Sequence, residues 1–140
     1  MNFQLSEEQS LLIAGFQKFL KRDAGPLAAR FRDRLLPLEE MRSIQRAITD
    51  FGVGAGVIEE QLGGMGVDAV TTGLLQFELS RCSPDLAVTA LIQNIIGKLI
   101  RYVPEPLRAG YIDDVLTVNR FGCVGMSEPD AGSQVTGVRC

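Results

Sequence analysis

The feature that most constrains the fold is a long apolar run that begins at Ser83 and ends near Tyr102. Ser83 can accept a hydrogen bond from a free backbone amide, Pro84 suits a first helical position, and Asp85 favours the positive end of the helix dipole. Apolar residues then fall on nearly every side, which is typical of a buried helix. We therefore expect a central helix surrounded by other helices, in an all-α fold.

Five further helices are predicted from start signals and apolar stripes. Ser6 and Gln9 have capping-box spacing ahead of the first stripe. Gly25-Pro26 ends the first helix and opens the second, and Gly52 ends the third. The predicted bounds are about 7–22, 27–34, 38–51, 69–81 and 107–115.

Six glycines lie in one short segment, at positions 52, 54, 56, 63, 64 and 66. This density predicts a loop of tight turns around a short extended piece at Val57-Ile58. A dinucleotide-binding loop is the alternative, but Glu59 stands where the third glycine would be, and a helix precedes the loop where a strand is required. We therefore interpret the segment as a loop between helices.

The character of the sequence changes after Asn119. Residues 121–126 are apolar and punctuated by glycine, which predicts a strand. Residues 128–132 predict a turn, and residues 135–139 predict a second extended piece. Because no partner strands follow, we expect a fragment, with a helical domain over residues 1–118 and the start of a β-domain over residues 119–140.

Charge and residue usage exclude several classes of function. The net charge is −3 with scattered basic residues, whereas a nucleic-acid surface needs a concentrated basic face. No apolar segment reaches the roughly 18 residues that a membrane span needs. Cys82, Cys123 and Cys140 form no CxxC pair, so we expect reduced thiols in a cytoplasmic protein. The absence of histidine excludes Ser-His and Cys-His nucleophiles and histidine-based metal sites within these residues.

Acidic residues are the remaining candidates for acid–base chemistry. Adjacent residues on a helix do not face each other, so we interpret four adjacent acidic pairs as solvated. The pairs are Glu7-Glu8, Glu39-Glu40, Glu59-Glu60 and Asp113-Asp114. Glu78 lies on an otherwise apolar helix, and we expect it to pair with Arg81 or Arg101.

A turn flanked by hydroxyl groups is the strongest candidate site. Met126-Ser-Glu-Pro-Asp-Ala-Gly-Ser133 directly follows the predicted strand. Such a turn can present backbone amides and hydroxyls to a polar, flat or anionic ligand. Composition alone also allows a surface turn that only reverses the chain, and both interpretations stay open at this level.

The turn resembles a family signature. Residues 127–133 resemble the S/T-E-P-x-x-G-S motif of acyl-CoA dehydrogenases. Residues 58–66 are similar to the family's glycine-rich loop between helices, residues 76–81 to its E-E-L-A-R helix, and residues 5–9 to its opening. The matches follow the family's order along all 140 residues. The resemblance implies a six-helix orthogonal bundle, followed by the first strand or strands of a truncated β-barrel domain.

The resemblance also implies a cofactor and its contacts. In the family, the strand and turn before this serine lie against the isoalloxazine ring of FAD. The corresponding positions are Val124, Gly125, Met126 and Ser127. Ser127 would bond the ring through its backbone amide and its hydroxyl.

The substrate implied by the resemblance is an acyl thioester. Ser133 would contact its CoA portion with Gly132 beside it, and residues 91–95 of the fifth helix would wall the acyl pocket. The reaction would be α,β-dehydrogenation, with a carboxylate removing the α-proton and FAD accepting the β-hydrogen as hydride. The family's usual base is a glutamate in a C-terminal domain outside these residues, so no residue here is assigned as catalytic.

The implied partners are an acyl thioester on CoA or on acyl carrier protein, an electron-acceptor flavoprotein, and further subunits in a homodimer or homotetramer. Several positions depart from the family pattern: Glu59, Leu62, Val103, Val118 and Gln134. These departures suggest a divergent branch with an unusual acyl group or carrier. Two other functions stay open, namely a flavin oxidase or monooxygenase of the same fold and a non-catalytic helical partner subunit.

Overall fold

The structure is a computed structural model that describes residues 4–133 and 135–139, and in these residues it is almost wholly helical. Seven α-helices occur there, with bounds α1 Glu7–Phe19, α2 Gly25–Arg30, α3 Leu38–Thr49, α4 Ala69–Cys82, α5 Pro84–Leu99, α6 Glu105–Ala109 and α7 Ile112–Leu116. The all-α class is therefore confirmed for the helical region, while the orthogonal arrangement stays a prediction. In the described part of the chain, no helix combines the length and apolar character needed to cross a bilayer.

The predicted break at Gly25-Pro26 is wrong. A π-helical turn over Leu20–Ala24 joins α1 to α2, and the amide of Gly25 donates to the carbonyl of Leu20. Proline lacks an amide hydrogen and its ring clashes with the carbonyl four residues back in a regular α-helix. A widened turn accommodates Pro26 without ending the helix. The second helix also ends earlier than predicted, at Arg30.

The main core lies where α1, α3, α4 and α5 meet. It is formed by apolar side chains that are at least nine-tenths buried, among them Phe16, Leu20, Ile44, Ile48, Leu75, Leu79, Leu86 and Ala90. Phe51 closes the cluster, with its ring centroid 5.1 Å from that of Phe16 and 5.2 Å from that of Phe19.

The fifth helix is central but is not covered on every side. Its buried positions contact α4, α3 and the turn that follows α3. Its apolar side chains at Val88, Leu91, Ile95 and Leu99 stay exposed, and they recur at helical spacing on one face. The apolar pattern thus predicted burial correctly for one face and incorrectly for the other.

The glycine-rich segment between α3 and α4 is packed into the fold. Residues Gly54–Val57 form a 3₁₀ turn that is largely buried against α5, so this segment is no dinucleotide loop. The predicted extended piece is reduced to Ile58, since Val57 belongs to the turn. The amide of Gly66 donates to the Ile58 carbonyl at 2.9 Å and closes the loop.

The predicted sixth helix is two short helices, α6 and α7, separated at Gly110-Tyr111. Val115 of α7 packs with Ile58 and Ile100 in a second, smaller core cluster. Packing against the loop and the end of α5 therefore decides the direction of α7. The local sequence alone predicted one continuous helix.

The predicted strand at residues 121–126 has no ladder partner among the described residues, which contain only one isolated antiparallel bridge, between Glu128 and Ala131. The predicted extended piece at residues 135–139 is also wrong, since Val135–Gly137 form a 3₁₀ turn. A strand is stabilised by hydrogen bonds to a neighbouring strand, and no such strand lies within residues 4–133 and 135–139.

Candidate functional site

The backbone that leads to the candidate site is fixed at the end of the helical bundle. The guanidinium of Arg46 on α3 donates to the Thr117 carbonyl at 3.0 Å. The amides of Asn119 and Arg120 both donate to the Asp114 carbonyl, at 2.9 and 3.1 Å. The bond from Arg46 ties the exit of α7 to α3, and the two bonds to Asp114 hold the exit against α7 itself.

Val118 lies at this exit in an unusual conformation. Its φ is +53°, the left-handed region that favours glycine, and its side chain is buried. This is a position where the family resemblance leads us to expect glycine. The backbone therefore keeps a glycine-like conformation although the side chain is β-branched.

Gln93 of α5 holds the next stretch of backbone. Its side chain is 2% exposed, and its Oε1 accepts a hydrogen bond from the Gly122 amide at 2.7 Å. Its Nε2 donates to the Arg120 carbonyl at 3.3 Å. Gly122 lies so close to α5 that a Cβ there would be 2.8 Å from Cγ2 of Ile96. Sequence reasoning missed Gln93, although a glutamine within an apolar helix is a signal for a buried hydrogen-bonding role.

The residues predicted to contact a cofactor follow immediately. Val124 and Met126 are 38% and 67% exposed, and Gly125 has no other atom within 4 Å of the position that a Cβ would take. Ser127 is exposed as well. No hydrogen bond joins residues 123–127 to any other described residue. The segment thus presents apolar side chains, a hydroxyl and unpaired backbone groups to its surroundings.

A tight turn closes the segment at its far end. The amide of Glu128 donates to the Ala131 carbonyl at 3.0 Å, and the reverse bond is 3.2 Å long. Ala131 is buried, whereas Gly132 and Ser133 are exposed immediately after it. The turn predicted at residues 128–132 is confirmed, and both sets of predicted contact residues lie on one exposed loop.

The other polar candidates form ordinary surface contacts. Glu78 pairs with Arg81 at 3.6 Å, whereas Arg101 pairs with Glu59 at 3.0 Å. The thiol of Cys82 is partly buried, which raises its pKa, and Cys123 is a free, exposed thiol. The positions of Cys140 and Gln134 lie outside the described residues.

Comparison with known proteins decides the family. The sequence profile described as "Acyl-CoA dehydrogenase, N-terminal domain" matches residues 6–119. The chain belongs to the acyl-CoA dehydrogenase family. Mitochondrial isovaleryl-CoA dehydrogenase of Pongo abelii is 29% identical over 137 residues, which are 96% of this chain and 32% of that protein. Glutaryl-CoA dehydrogenase of Desulfococcus multivorans is 29% identical over 141 residues, covering 96% of this chain and 35% of that protein.

Solved structures of the family agree with the fold. A glutaryl-coenzyme A dehydrogenase in complex with glutaryl-CoA superposes with a TM-score of 0.78 at 27% identity, covering 99% of this chain and 35% of that one. Butyryl-CoA dehydrogenase from Megasphaera elsdenii has a TM-score of 0.74 at 19% identity, which supports the fold alone. The chain spans 32–35% of the length of these two curated relatives.

Proposed function

We propose that this chain is the N-terminal part of an FAD-dependent acyl-thioester α,β-dehydrogenase. The observation that carries the proposal is the exposed segment 123–127, whose backbone makes no hydrogen bond to the described residues although the bundle fixes it at Gly122. Since these exposed groups bond to no other described residue, they are available to a ligand, and a flat, partly polar ring offers suitable partners. The division into residues 1–118 and 119–140 and a cytoplasmic location are part of this proposal.

The groups on the segment suit a flavin ring. Val124 and Met126 offer apolar contact to a ring face, and Gly125 leaves room for close approach. The amide and hydroxyl of Ser127 can donate to polar atoms at the ring edge. When bound there, FAD would accept the hydride that leaves the β-carbon of the acyl group.

The substrate groups would lie beside this segment. Gly132 and Ser133 are exposed after the turn and can meet the carrier moiety, whether CoA or acyl carrier protein. Leu91 and Ile95 belong to the exposed apolar face of α5, which suits one wall of an acyl pocket. We assign no proton-abstracting residue to this chain, so the base would come from elsewhere in the enzyme. An electron-acceptor flavoprotein and a homodimeric or homotetrameric assembly complete the proposal.

A second candidate is a non-catalytic helical subunit. The exposed apolar face of α5, at Val88, Leu91, Ile95 and Leu99, favours it, because such a face also suits a partner protein. The two candidates differ in one respect that is easily measured, since only the dehydrogenase requires FAD at residues 124–127.

Two serine variants of the complete flavoprotein test the proposal together. We expect Ser127→Ala to weaken FAD binding by about 1–3 kcal/mol and to shift the flavin absorbance, because a ring hydrogen bond is lost. We expect Ser133→Ala to leave FAD in place and to weaken thioester binding by about 0.5–1.5 kcal/mol. Flavin titration and bleaching by an acyl-CoA measure the two effects.

The same pair of variants can reject the proposal. Unchanged flavin affinity and spectrum in Ser127→Ala would remove this segment from the cofactor site. Unchanged affinity for both CoA and carrier-protein substrates in Ser133→Ala would remove this serine from the substrate site, whereas equal loss on both would indicate a contact to the shared pantetheine arm. A complete protein that binds no flavin would favour the helical subunit.

A further inference from the structure

We propose that Gln93 is a positioning residue that holds the flavin-contacting segment at its correct distance from α5. The proposal rests on the function proposed above, and it assigns a role to a residue on a different element from the contacts themselves. The geometry that supports it is a single buried amide that binds the backbone on both sides of Phe121.

The two bonds of Gln93 replace those that a neighbouring strand would make. The Arg120 carbonyl and the Gly122 amide are two residues apart, and in extended backbone such groups point to the same side. A side-chain amide carries one acceptor and two donors, so it can satisfy both groups at once. Leucine or methionine would fill the same space but would leave both backbone groups unpaired.

A second contact fixes the same point from the same helix face. Ile96 lies one turn after Gln93 on α5, and its side chain fills the space beside Gly122 that a Cβ would need. The backbone is therefore held against α5 by a hydrogen-bonded residue and by close packing. Only a glycine, which has no Cβ, allows the backbone to lie so close to the helix.

Gln93 and Ile96 together form a clamp on the backbone of residues 120–122. This clamp lies directly before the proposed contacts. Val124 is two residues beyond Gly122, a reach of roughly 7 Å in extended chain. The next hydrogen-bonded backbone along the chain is the Glu128–Ala131 turn. Between these two points, residues 123–127 make no hydrogen bond to other described residues, so their position depends on the ends. If the clamp opens, the segment samples other positions, and apparent affinity for FAD falls in proportion to the fraction that stays correctly positioned.

The chain offers a matched control in Gln45. Its side chain is also 2% exposed, and its Nε2 donates to a backbone carbonyl of α5, that of Leu86, at 2.9 Å. It is a buried residue of α3, and its side-chain amide bonds to Leu86 and Met41 rather than to the segment. Gln45→Leu therefore removes a comparable buried hydrogen bond without opening the clamp.

The experiment compares Gln93→Leu with Gln45→Leu in the complete flavoprotein, by FAD titration, flavin absorbance, thermal unfolding and hydrogen exchange at the Gly122 amide. We expect both variants to lower the unfolding temperature. Only Gln93→Leu should accelerate exchange at Gly122, shift the flavin band and weaken FAD affinity by about tenfold. Gly122→Ala, which displaces the same backbone from Ile96, should weaken FAD affinity in the same direction and decides the matter if Gln93→Leu does not fold.

Three outcomes would overturn the inference. The first is an unchanged exchange rate at Gly122 in Gln93→Leu, which would mean that there is no clamp in solution. The second is faster exchange with wild-type flavin affinity and spectrum, which would make the bond structural only. The third is an equal loss of FAD affinity in Gln45→Leu. A wild-type protein without flavin would instead reject the proposed function, and this inference with it.

Discussion

Two glycine-rich segments leave the helical bundle, and their structures differ sharply. Residues 52–66 lie between α3 and α4, and Gly54, Ala55 and Gly56 are buried there. Residues 121–133 follow α7, and most of them are exposed. The first segment is internally bonded, while the second is bonded mainly at its two ends.

The difference shows that glycine content does not by itself predict flexibility or exposure. Both segments lie against α5, and in each case one residue of α5 determines the kind of contact. Gly97 lets the first segment come so close that an added Cβ would be 3.0 Å from Cγ1 of Ile58. Gln93 holds the second segment by hydrogen bonds to the Arg120 carbonyl and the Gly122 amide. The first segment thus packs into the core, whereas the second is held at one edge with its contact groups outward.

The largest expected effect comes from adding one methyl group to each segment. A Cβ at Gly64 would overlap the backbone carbonyl of Ile58, which cannot move without opening the loop. A Cβ at Gly125 would meet no atom within 4 Å. We expect Gly64→Ala to cost about 3 kcal/mol or more in the free energy of unfolding, and Gly125→Ala to change it by less than about 0.5 kcal/mol. Denaturant unfolding measures both values.

Similar losses in the two variants would break the comparison. A large loss in Gly125→Ala would mean that the second segment is packed as tightly as the first. A small loss in Gly64→Ala would mean that the first loop can open at low cost.

An intermediate effect is expected at the junction with the second segment. Because Val118 has φ +53°, glycine avoids a strain of about 1 kcal/mol there that alanine retains. We expect Val118→Gly to unfold at higher denaturant concentration than Val118→Ala. The control is Val115, which is buried in the helix α7. There we expect the alanine variant to have a free energy of unfolding about 1 kcal/mol higher than that of the glycine variant. If the alanine variant were more stable than the glycine variant at both positions, this would contradict the left-handed conformation of Val118.

The smallest effect is expected just after the first segment, at Asp68, which caps α4. Hydrogen bonds from the Thr71 hydroxyl and from the amides of Thr71 and Val70 lower the pKa of Asp68, because they stabilise its charged form. A lowered folded-state pKa contributes stability above the unfolded value of about 3.9, and this stability is lost as pH falls through the folded value. We expect the free energy of unfolding of Asp68→Asn to fall slightly less than that of the wild type as the pH is lowered. At pH 7 we expect little change, since asparagine also caps helices.

Thermal unfolding from pH 7 down to the acid transition measures this effect. Parallel curves for wild type and Asp68→Asn would show that the cap does not depend on the carboxylate charge.

Local signals in the sequence determined where most helices begin. The caps predicted at Ser6 and Ser83 are confirmed, since each side-chain oxygen accepts a hydrogen bond from a backbone amide, and Asp68 caps α4 in the same way. A cap joins a side chain to amides two or three residues away, so neighbouring residues suffice to specify it. The family motif at residues 127–133 was equally readable, because its residues are contiguous.

Only the tertiary structure decided how the later part of the chain behaves. Residues 121–126 have the composition of a strand, but a strand needs a partner from a distant part of the chain, and here the side chain of Gln93 takes part of that place. The division of α6 from α7 and the exposed face of α5 depend in the same way on contacts between residues far apart in sequence. Periodicity shows which residues are apolar, whereas burial depends on which other elements are present to cover them.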